Sequence, residues 1–352
     1  MEIVMKKRVM VAMSGGVDSS VCAALLINDG YEVIGATMWL FDDQEEQVFE
    51  DARAVCRHLE IEHHVIDLRD VFKSEVIDYF KSSYLAGLTP NPCAKCNRTI
   101  KFGVLFEWMH KLSCDFMATG HYAVIENKGG NYRLKRASTD RKDQVYFLHS
   151  IRPEQLAHLL FPLGSYPDKA EVRRVAHELA LPVAGKKDSD GLCFASGVDY
   201  RTYLDEMLSS NEAAGSIVHS SGRVLGQHHG YYRYTVGQKR NLGIDIEKNE
   251  CVIDIDAKSK EVVIGVESLA YHSGLVISDT TWIEALVEDH VYDVKMFNWG
   301  YVLKAKLEKT ADDTYHVSFD SPVRAIAPGQ YLVVYDGEYV LGGGSIVKIE
   351  DW

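Results

Sequence analysis

The chain has 352 residues and a formal net charge of −13, with 46% hydrophobic and 25% charged residues. This composition excludes a disordered or fibrous protein, and the length predicts two or three domains. No apolar run approaches the ~18 residues of a membrane span, and no signal peptide is recognisable, so we expect a cytoplasmic protein without a membrane partner. The seven cysteines are too scattered for a disulfide scaffold. The acidic total also counts against a nucleic-acid partner.

The first half of the chain alternates strand and helix patterns. Short apolar runs predict strands over residues 8–13, 32–38, 64–68 and 115–119. Helical patterns lie between them, over residues 18–28, 48–59 and 71–85. Strands separated by helices of this length predict an α/β fold with a doubly wound parallel sheet.

The second half is rich in β patterns from about residue 215 onward. The clearest runs cover residues 251–255, 261–265, 315–319 and 330–335, with turn signals such as Asp336-Gly337 between them. We therefore expect small β domains or a β-barrel in this half.

A glycine-rich loop, Ser14–Ser20, follows the first predicted strand. Its glycine pair permits a tight turn, so that backbone N–H groups and a helix N-terminus point at a bound anion. Ser14 and Ser19 add hydroxyl donors, and Asp18 could cap the helix or contact a metal ion. No Gly-Lys-Ser/Thr follows, so this is not a Walker A loop. The string SGGVDSS resembles the pyrophosphate loop of the ATP pyrophosphatase superfamily, and we favour nucleotide binding over a purely structural turn.

The cysteines fall into two groups. Cys22, Cys56, Cys114 and Cys251 lie in apolar surroundings, which predicts ordinary core packing. The others are Cys93 and Cys96, which form a C-x-x-C pair, and Cys193 in the polar loop 186–195.

The C-x-x-C pair follows a proline-restricted loop and begins a predicted helix. We expect the helix dipole, together with Lys95, Arg98 and Lys101, to lower the thiol pKa values and favour thiolates. No second C-x-x-C follows, which disfavours zinc, although a thioredoxin-like redox pair stays open. A thiol pair with a distant mobile cysteine is typical of a persulfide relay. It equally suits an iron–sulfur cluster on Cys93, Cys96 and Cys193.

Several motifs together are similar to those of the bacterial and mitochondrial tRNA-uridine 2-sulfurtransferases. The matching blocks span nearly the whole chain: residues 14–20, 89–97, 100–102, 118–122, 142–148, 186–194, 234–243 and 328–344. The resemblance implies a nucleotide-binding catalytic domain over residues 1–205, a small central domain over 206–268 and a tRNA-binding C-terminal β-barrel over 269–352. It also implies a protein that is a monomer when free.

The implied reaction is 2-thiolation of the wobble uridine in tRNAs for Gln, Lys and Glu. ATP with Mg²⁺ would adenylate the uridine O2, since that oxygen is otherwise a poor leaving group. The implied ATP-binding residues are Ala12, Met13, Ser14, Gly15, Gly16, Val17, Asp18, Ser19, Met38 and Gly120.

The resemblance also assigns the sulfur chemistry and the tRNA contacts. Cys193 would receive sulfur as a persulfide from a sulfur-relay or cysteine-desulfurase donor protein, and Cys96 would free that sulfur, leaving a Cys96–Cys193 disulfide. Asn91, Pro92 and Cys93 would contact the target base. The implied tRNA-binding residues are His121, Lys142, Asp143, Gln144, Phe297, Asn298 and Gln330.

The sequence departs from the family pattern at two places. Cys93 stands where an aspartate is usual, so a 4Fe-4S cluster on Cys93, Cys96 and Cys193 stays open beside the persulfide relay. A predicted barrel strand reads Met296–Trp299 where Arg-Tyr-Arg is usual. Phe297 and Trp299 could stack on a flipped-out base, although ordinary barrel packing also explains them.

Two other functions stay open from the sequence. One is an adenylating ligase of the same nucleotide fold that acts on a small molecule. The other is a catalytically silent RNA-binding protein. Residues 95–142 carry ten basic and four acidic side chains. If tRNA is the substrate, this segment predicts a narrow basic strip on an acidic body, with tRNA affinity that falls steeply as salt rises.

Overall fold

The structure, a computed structural model, describes residues 6–139, 141–188, 191–195, 198–208, 213–298 and 300–351. The strands are β1 (Arg8–Ala12), β2 (Glu32–Trp39), β3 (Glu62–Asp67), β4 (Phe116–Ala118), β5 (Val124–Lys128), β6 (Asn131–Lys135), β7 (Leu159–Leu160), β8 (Gly215–His219), β9 (Val224–His228), β10 (Glu250–Asp256), β11 (Glu261–Val266), β12 (Tyr271–Trp282), β13 (Val291–Lys295), β14 (Leu303–Ala311), β15 (Thr314–Arg324), β16 (Tyr331–Asp336) and β17 (Tyr339–Glu350).

The α-helices are α1 (Val17–Asn28), α2 (Glu46–His58), α3 (Arg69–Phe72), α4 (Asp78–Leu85), α5 (Pro92–Cys96), α6 (Leu105–Lys111), α7 (Pro153–Leu156), α8 (Lys169–Glu178) and α9 (Tyr200–Met207). π-helical segments cover Lys73–Ile77 and Asn97–Val104. Short 3₁₀ turns cover Val145–Leu148, Pro162–Ser165, Cys193–Ala195, Tyr231–Arg233 and Glu267–Ala270. Within the described ranges, we find no helix with the length and hydropathy of a membrane span.

The first sheet is parallel and has the strand order β3-β2-β1-β4-β7. Val9 and Val11 of β1 lie in one apolar cluster, whereas Met10 between them lies in another. Since alternate residues of a strand face opposite sides, helices cover both faces of the sheet, and the predicted doubly wound α/β fold is confirmed. The chain moves from β1 to β2 on one side and later returns to β4 on the other. The carboxyl ends of β1 and β4 therefore flank the point where such sheets bind ligands.

The second half of the chain is β-rich, as predicted. β8 to β11 form a sheet in the order β10-β11-β8-β9. β12 to β17 form a closed barrel, because β17 at the end of the order β12-β15-β14-β13-β16-β17 also pairs with β12. The four cysteines predicted for the core, Cys22, Cys56, Cys114 and Cys251, are all buried.

One hairpin from the first half of the sequence belongs to the barrel sheet. β5 and β6 pair with each other, and β6 pairs with β17. Three cations of the basic segment form ion pairs with acidic residues of the barrel: Arg133 with Glu284 at 2.5 Å, Lys135 with Glu338 at 3.0 Å and Arg98 with Asp279 at 2.5 Å. The basic strip is therefore narrower than predicted, because part of its charge holds the barrel against the first domain. Asp140 of this segment lies outside the described residues.

Candidate functional site

The glycine-rich loop turns sharply between β1 and α1. Gly15 has a φ of +66°, and a Cβ there would come within 2.6 Å of the Val48 carbonyl oxygen, so only glycine fits without strain. The Ser14 N–H donates to Ser19 Oγ at 3.2 Å, and Ser20 Oγ donates to the Gly16 carbonyl at 2.8 Å. Gly16, the N-cap of α1, supplies no side-chain cap. The first N–H groups of the helix therefore face the loop and can bind an anion.

A second glycine brings the loop after β4 against this one. A Cβ on Gly120 would lie 2.9 Å from the backbone of both Asp18 and Ser19, so the two loops touch only because this position has no side chain. The other predicted nucleotide residues surround the same turn. Ala12 ends β1, the Met13 N–H donates to the Ala36 carbonyl at 2.8 Å, Val17 is buried, and Met38 is half-buried in β2.

The carboxylate of Asp18 is fixed by two partners. Tyr122 Oη donates to it at 2.9 Å, and Lys169 Nζ of α8 lies 2.6 Å from it. Lys169 Nζ also lies 3.1 Å from the carboxylate of Asp188, and Arg173 lies 2.7 Å from that Asp188 carboxylate. Several cations thus stand beside a loop built to bind phosphate.

A further lysine ties the loop to α2. Lys186 Nζ donates to the Gly15 carbonyl at 3.0 Å and to Asp51 at 2.5 Å. Desolvation opposes the charged form of Asp51, but hydrogen bonds from Lys186 and Gln47 lower its pKa below the ordinary range. Lys142, a predicted tRNA-binding residue, instead lies 3.6 Å from Asp188 at the edge of this cationic group.

Most of the side-chain contacts around the turn were not predicted from the sequence. Tyr122 stands in the matched block ATGHY, so a hydroxyl beside the turn could have been suspected. Lys169 and Arg173 carry no motif and are one helical turn apart on α8. Only the packing of α8 against α1 brings them to the loop.

The C-x-x-C pair lies on α5, as predicted. Asn91 caps the helix by accepting the Ala94 N–H at 3.1 Å, and Pro92 occupies its first turn. Cys93 is exposed, whereas Cys96 is buried. Cys193 is exposed in the 3₁₀ turn Cys193–Ala195.

The predicted lowering of the thiol pKa values is wrong. Desolvation raises the pKa of all three thiols, that of Cys96 to about 12. Cys93 and Cys193 are close enough for their charges to raise the pKa of Cys96 further. Loss of solvation disfavours a thiolate, and at Cys96, which is buried, this outweighs the dipole at the start of the helix. The resting thiols are therefore protonated near neutral pH.

Of the three cations expected near the pair, only Lys101 lowers the pKa of these thiols. Lys95 lies 3.2 Å from Glu75, and Arg98 pairs with Asp279. Lys101 has no carboxylate partner in the part of the chain that the structure describes. In an α-helix, positions five apart such as Cys96 and Lys101 point ~140° apart. The wider π-helical turn Asn97–Val104 brings them toward one face.

The three thiols do not fit an iron–sulfur cluster as they stand. In the described ranges, no group of three or more His, Cys, Asp or Glu side chains is arranged to hold a metal ion. No step of the reaction is therefore derived through a cluster.

Some predicted tRNA-binding side chains are occupied within the protein. Asp143 is buried and accepts the backbone N–H groups of Ala137 and Val145 at 3.2 and 3.4 Å. Gln144 accepts the Tyr122 N–H at 2.9 Å. Gln330 donates to the Thr89 carbonyl at 3.0 Å, which ties the barrel to the loop before the thiol pair.

His121 is half-buried between aromatic side chains. Its ring packs against Phe102 and Phe161, and Nδ1 lies 2.7 Å from Thr119 Oγ1. Desolvation and the charge of Lys101 hold its pKa well below the usual range, so the ring is neutral. Because Lys101 acts on both His121 and the thiols, the thiol pair and the loop after β4 belong to one neighbourhood.

Residues 296–298 of the predicted strand Met296–Trp299 are not a strand, because β13 ends at Lys295. Met296 is buried, Asn298 is half-buried, and Phe297 is 41% exposed. The predicted stacking of Trp299 falls outside the described residues.

Three family models match consecutive segments: a tRNA methyl transferase HUP domain over residues 7–197, a tRNA methyl transferase PRC-barrel domain over 201–266 and an aminomethyltransferase beta-barrel domain over 272–346. A tRNA-specific 2-thiouridylase MnmA of Acetivibrio thermocellus is 41% identical over 357 residues, covering 97% of this chain and 99% of that protein. The protein of the same name from Carboxydothermus hydrogenoformans is 42% identical over 364 residues, with coverages of 99% and 100%. A solved 4-thiouridine synthetase–RNA complex with bound ATP superposes with a TM-score of 0.40 at 18% identity, over 57% of this chain and 50% of that one. The chain belongs to the family of tRNA-specific 2-thiouridylases.

Proposed function

We propose that this protein uses ATP to thiolate C2 of the wobble uridine in tRNAs for Gln, Lys and Glu. The observation that carries the proposal is the shared neighbourhood of a phosphate-binding turn and a sulfur site. Gly120 packs against the turn, and His121 beside it shares the cation Lys101 with the thiols. A ligase for small molecules needs the turn but not the thiols.

The nucleotide would bind at the turn. Uridine O2 attacks the α-phosphorus of ATP, the α–β phosphoanhydride bond breaks, and pyrophosphate leaves with the bonding electron pair. The N–H groups of α1 would hold the pyrophosphate, and Lys169, Arg173 and Lys186 would offset its charge. Asp18, the carboxylate of the turn, would hold the Mg²⁺ ion, which would supply positive charge to offset that of the phosphates.

The sulfur would arrive as a persulfide on exposed Cys193, transferred from a sulfur-relay or cysteine-desulfurase protein. Cys96, as the thiolate, attacks the Cys193 sulfur, so that the S–S bond of the persulfide breaks and a new Cys96–Cys193 disulfide forms. The released hydrosulfide attacks C2 of the adenylated uridine, and AMP leaves with O2. An external dithiol then reduces the disulfide with two electrons.

The raised thiol pKa values bear on when this step occurs. Cys96 must lose its proton before it can attack, and in the free protein desolvation opposes that loss. Lys101 is the cation near enough to stabilise the thiolate, and Cys93 would take the proton-transfer place that an aspartate usually fills. Deprotonation of Cys96 would therefore precede the sulfur transfer.

The proposal also assigns roles to the three domains and to the residues that would contact the tRNA. Residues 1–205 would form the catalytic domain, 206–268 the central domain and 269–352 a tRNA-binding barrel. Asn91 and Pro92 would meet the target base together with Cys93. The remaining tRNA contacts would come from His121, Lys142, Gln144, Phe297, Asn298 and Gln330, while the buried Asp143 would fix the backbone beside Lys142.

The matched variants Cys96→Ser and Cys114→Ser test this function. With ATP, tRNA and a persulfide donor, Cys96→Ser should form no 2-thiouridine, whereas Cys114→Ser, a buried position before the amino end of β4, should retain activity. AMP formation that needs no tRNA, and that survives Cys96→Ser, would identify a small-molecule ligase instead. Tight tRNA binding with no AMP formation would identify a silent RNA-binding protein.

Iron and sulfide analysis of anaerobically purified protein separates the persulfide relay from the cluster. Iron-free protein that is fully active with a persulfide donor supports the relay. Stoichiometric iron that is lost together with activity in Cys93→Asp would overturn it.

A further inference from the structure

A cationic pocket lies where the end of the catalytic domain, the central domain and the barrel meet, and none of its lining residues belongs to the thiol site or the nucleotide turn. It has a volume of about 600 Å³ and is lined by the loop 235–241, by Arg201 of α9 and by Arg324 of β15. The protein as a whole carries a charge of −13, so a local excess of cations stands out.

The charges of this pocket are only partly neutralised. Lys239 and Arg324 share one carboxylate, that of Glu267, at 2.7 and 2.5 Å. Arg201 lies over the ring of Tyr200 and donates to its hydroxyl at 3.3 Å. Arg240 is exposed and has no carboxylate partner among the described residues. Among the described residues, Glu267 is the carboxylate that forms ion pairs with cations of this group, and it is shared by two of the four, while Asp199 acts on the charge of Arg201 without an ion pair.

The loop that presents these cations is fixed by its own hydrogen bonds. Gly237 has a φ of +87°, its N–H donates to the Val252 carbonyl at 2.7 Å, and its carbonyl accepts from Arg324 at 3.0 Å. Gln238 accepts the Thr235 N–H at 3.1 Å. A loop held in this way loses little conformational entropy when it binds an anion.

An apolar cavity of about 460 Å³ adjoins the cationic pocket, and Arg324 lines both. Its lining includes Met296, Phe297 and Tyr301. Phe297 is 41% exposed and Tyr301 90% exposed, so both aromatic rings are accessible to a ligand. Aromatic faces that stack bases, next to cations that bind phosphates, are the features of single-stranded RNA recognition.

We propose that the cationic pocket binds a backbone phosphate of the RNA substrate and that the adjoining cavity receives the neighbouring base. This inference rests on the proposed function, because the RNA is the tRNA that is thiolated. The site would hold a nucleotide other than the target uridine, and it would contribute affinity without taking part in the chemistry.

The test measures tRNA affinity against salt concentration for the double variant Lys239→Gln/Arg240→Gln. The pocket would hold one phosphate, and loss of one phosphate contact reduces the slope of log affinity against log salt by about 0.7 to 0.9, so the double variant should lose up to about 0.9. The matched control Lys248→Gln/Lys258→Gln removes the same charge from exposed positions of the same domain outside the pocket lining. It should behave like the wild type.

A single variant tests the base cavity separately. Tyr301→Ala removes an exposed side chain and should weaken tRNA binding by roughly 5- to 150-fold, the range for loss of one stacked base. For both pocket variants, the thiolation rate at saturating tRNA should be unchanged.

Unchanged affinity and unchanged salt slope in the double variant would overturn the pocket proposal while leaving the proposed function intact. Absence of tRNA thiolation by the wild type would instead overturn the function. Normal tRNA binding with weaker use of the persulfide donor would assign the pocket to an acidic surface of the donor protein, and that too would overturn the RNA proposal.

Discussion

The substitution Gly120→Ala tests whether the close contact of two loops forms the nucleotide site. The added Cβ would lie 2.9 Å from the backbone of Asp18 and Ser19, whereas ordinary van der Waals contacts begin at 3.4 Å. The atoms that it meets belong to the first turn of α1, so a rotamer change cannot relieve the overlap. The helix N-terminus or the loop after β4 must shift by about half an ångström, and such overpacking typically costs about 1–3 kcal/mol.

We expect this strain to reduce ATP affinity, because the N–H groups of α1 then no longer align with the phosphates. If the whole cost falls on the nucleotide-bound state, the dissociation constant rises roughly 5- to 150-fold. Calorimetric titration with ATP measures this change. Gly185→Ala is the matched control, since its Cβ would meet nothing within 4 Å. Equal ATP affinity in Gly120→Ala, Gly185→Ala and the wild type would refute the placement of ATP at this turn.

Three further predictions follow from the charges and the buried histidine. Lys101→Met should raise the pKa of the Cys96 thiol, measured as a shift of alkylation rate to higher pH; the control Lys111→Met should not, and equal profiles would contradict the role of Lys101. Lys169→Met frees Asp18 and should raise the KM for ATP several-fold, with a thermal melt to exclude unfolding; an unchanged KM would remove Lys169 from the site. His149 is buried, and desolvation lowers its pKa to about 4. Unfolding exposes a histidine of pKa ~6.5 that binds a proton, so stability should fall by up to about 3 kcal/mol as pH drops from ~6.5 to ~4. Urea titrations of His149→Phe should show a smaller loss over this window, and an equal loss would refute the assignment.

The sequence predicted the first sheet well because its signals are local. The apolar run around Met10, the glycine pair and the helical pattern after it each lie within a few residues. Cys22 and Cys56 were correctly predicted as core residues for the same reason, since their neighbours in sequence are apolar.

The environment of the thiols could not be predicted because it depends on packing between distant segments. The expected lowering of the thiol pKa considered only neighbours along the chain. Folding pairs Arg98 with Asp279, 181 residues away, and buries Cys96. Desolvation then decides the sign of the shift.

The pairing of the β5–β6 hairpin with the barrel could not be predicted, for a similar reason. β6 pairs with β17 through residues about 200 positions apart, such as Tyr339 with Lys135. The basic segment 95–142 was therefore predicted to form a free surface strip, although acidic residues of the barrel neutralise part of its charge. The pocket at Arg324 collects cations from three separate segments, and no single stretch of sequence displays it.

The most direct test of the proposed function is nucleoside mass spectrometry of tRNA after one round of reaction. Unmodified tRNA for Glu is incubated with ATP, the wild-type protein and a persulfide donor, and AMP is counted in parallel. We predict one 2-thiouridine at the wobble position for each AMP released, and neither product when the tRNA carries cytidine there. AMP release without 2-thiouridine, or thiolation at another position, would contradict the proposed function.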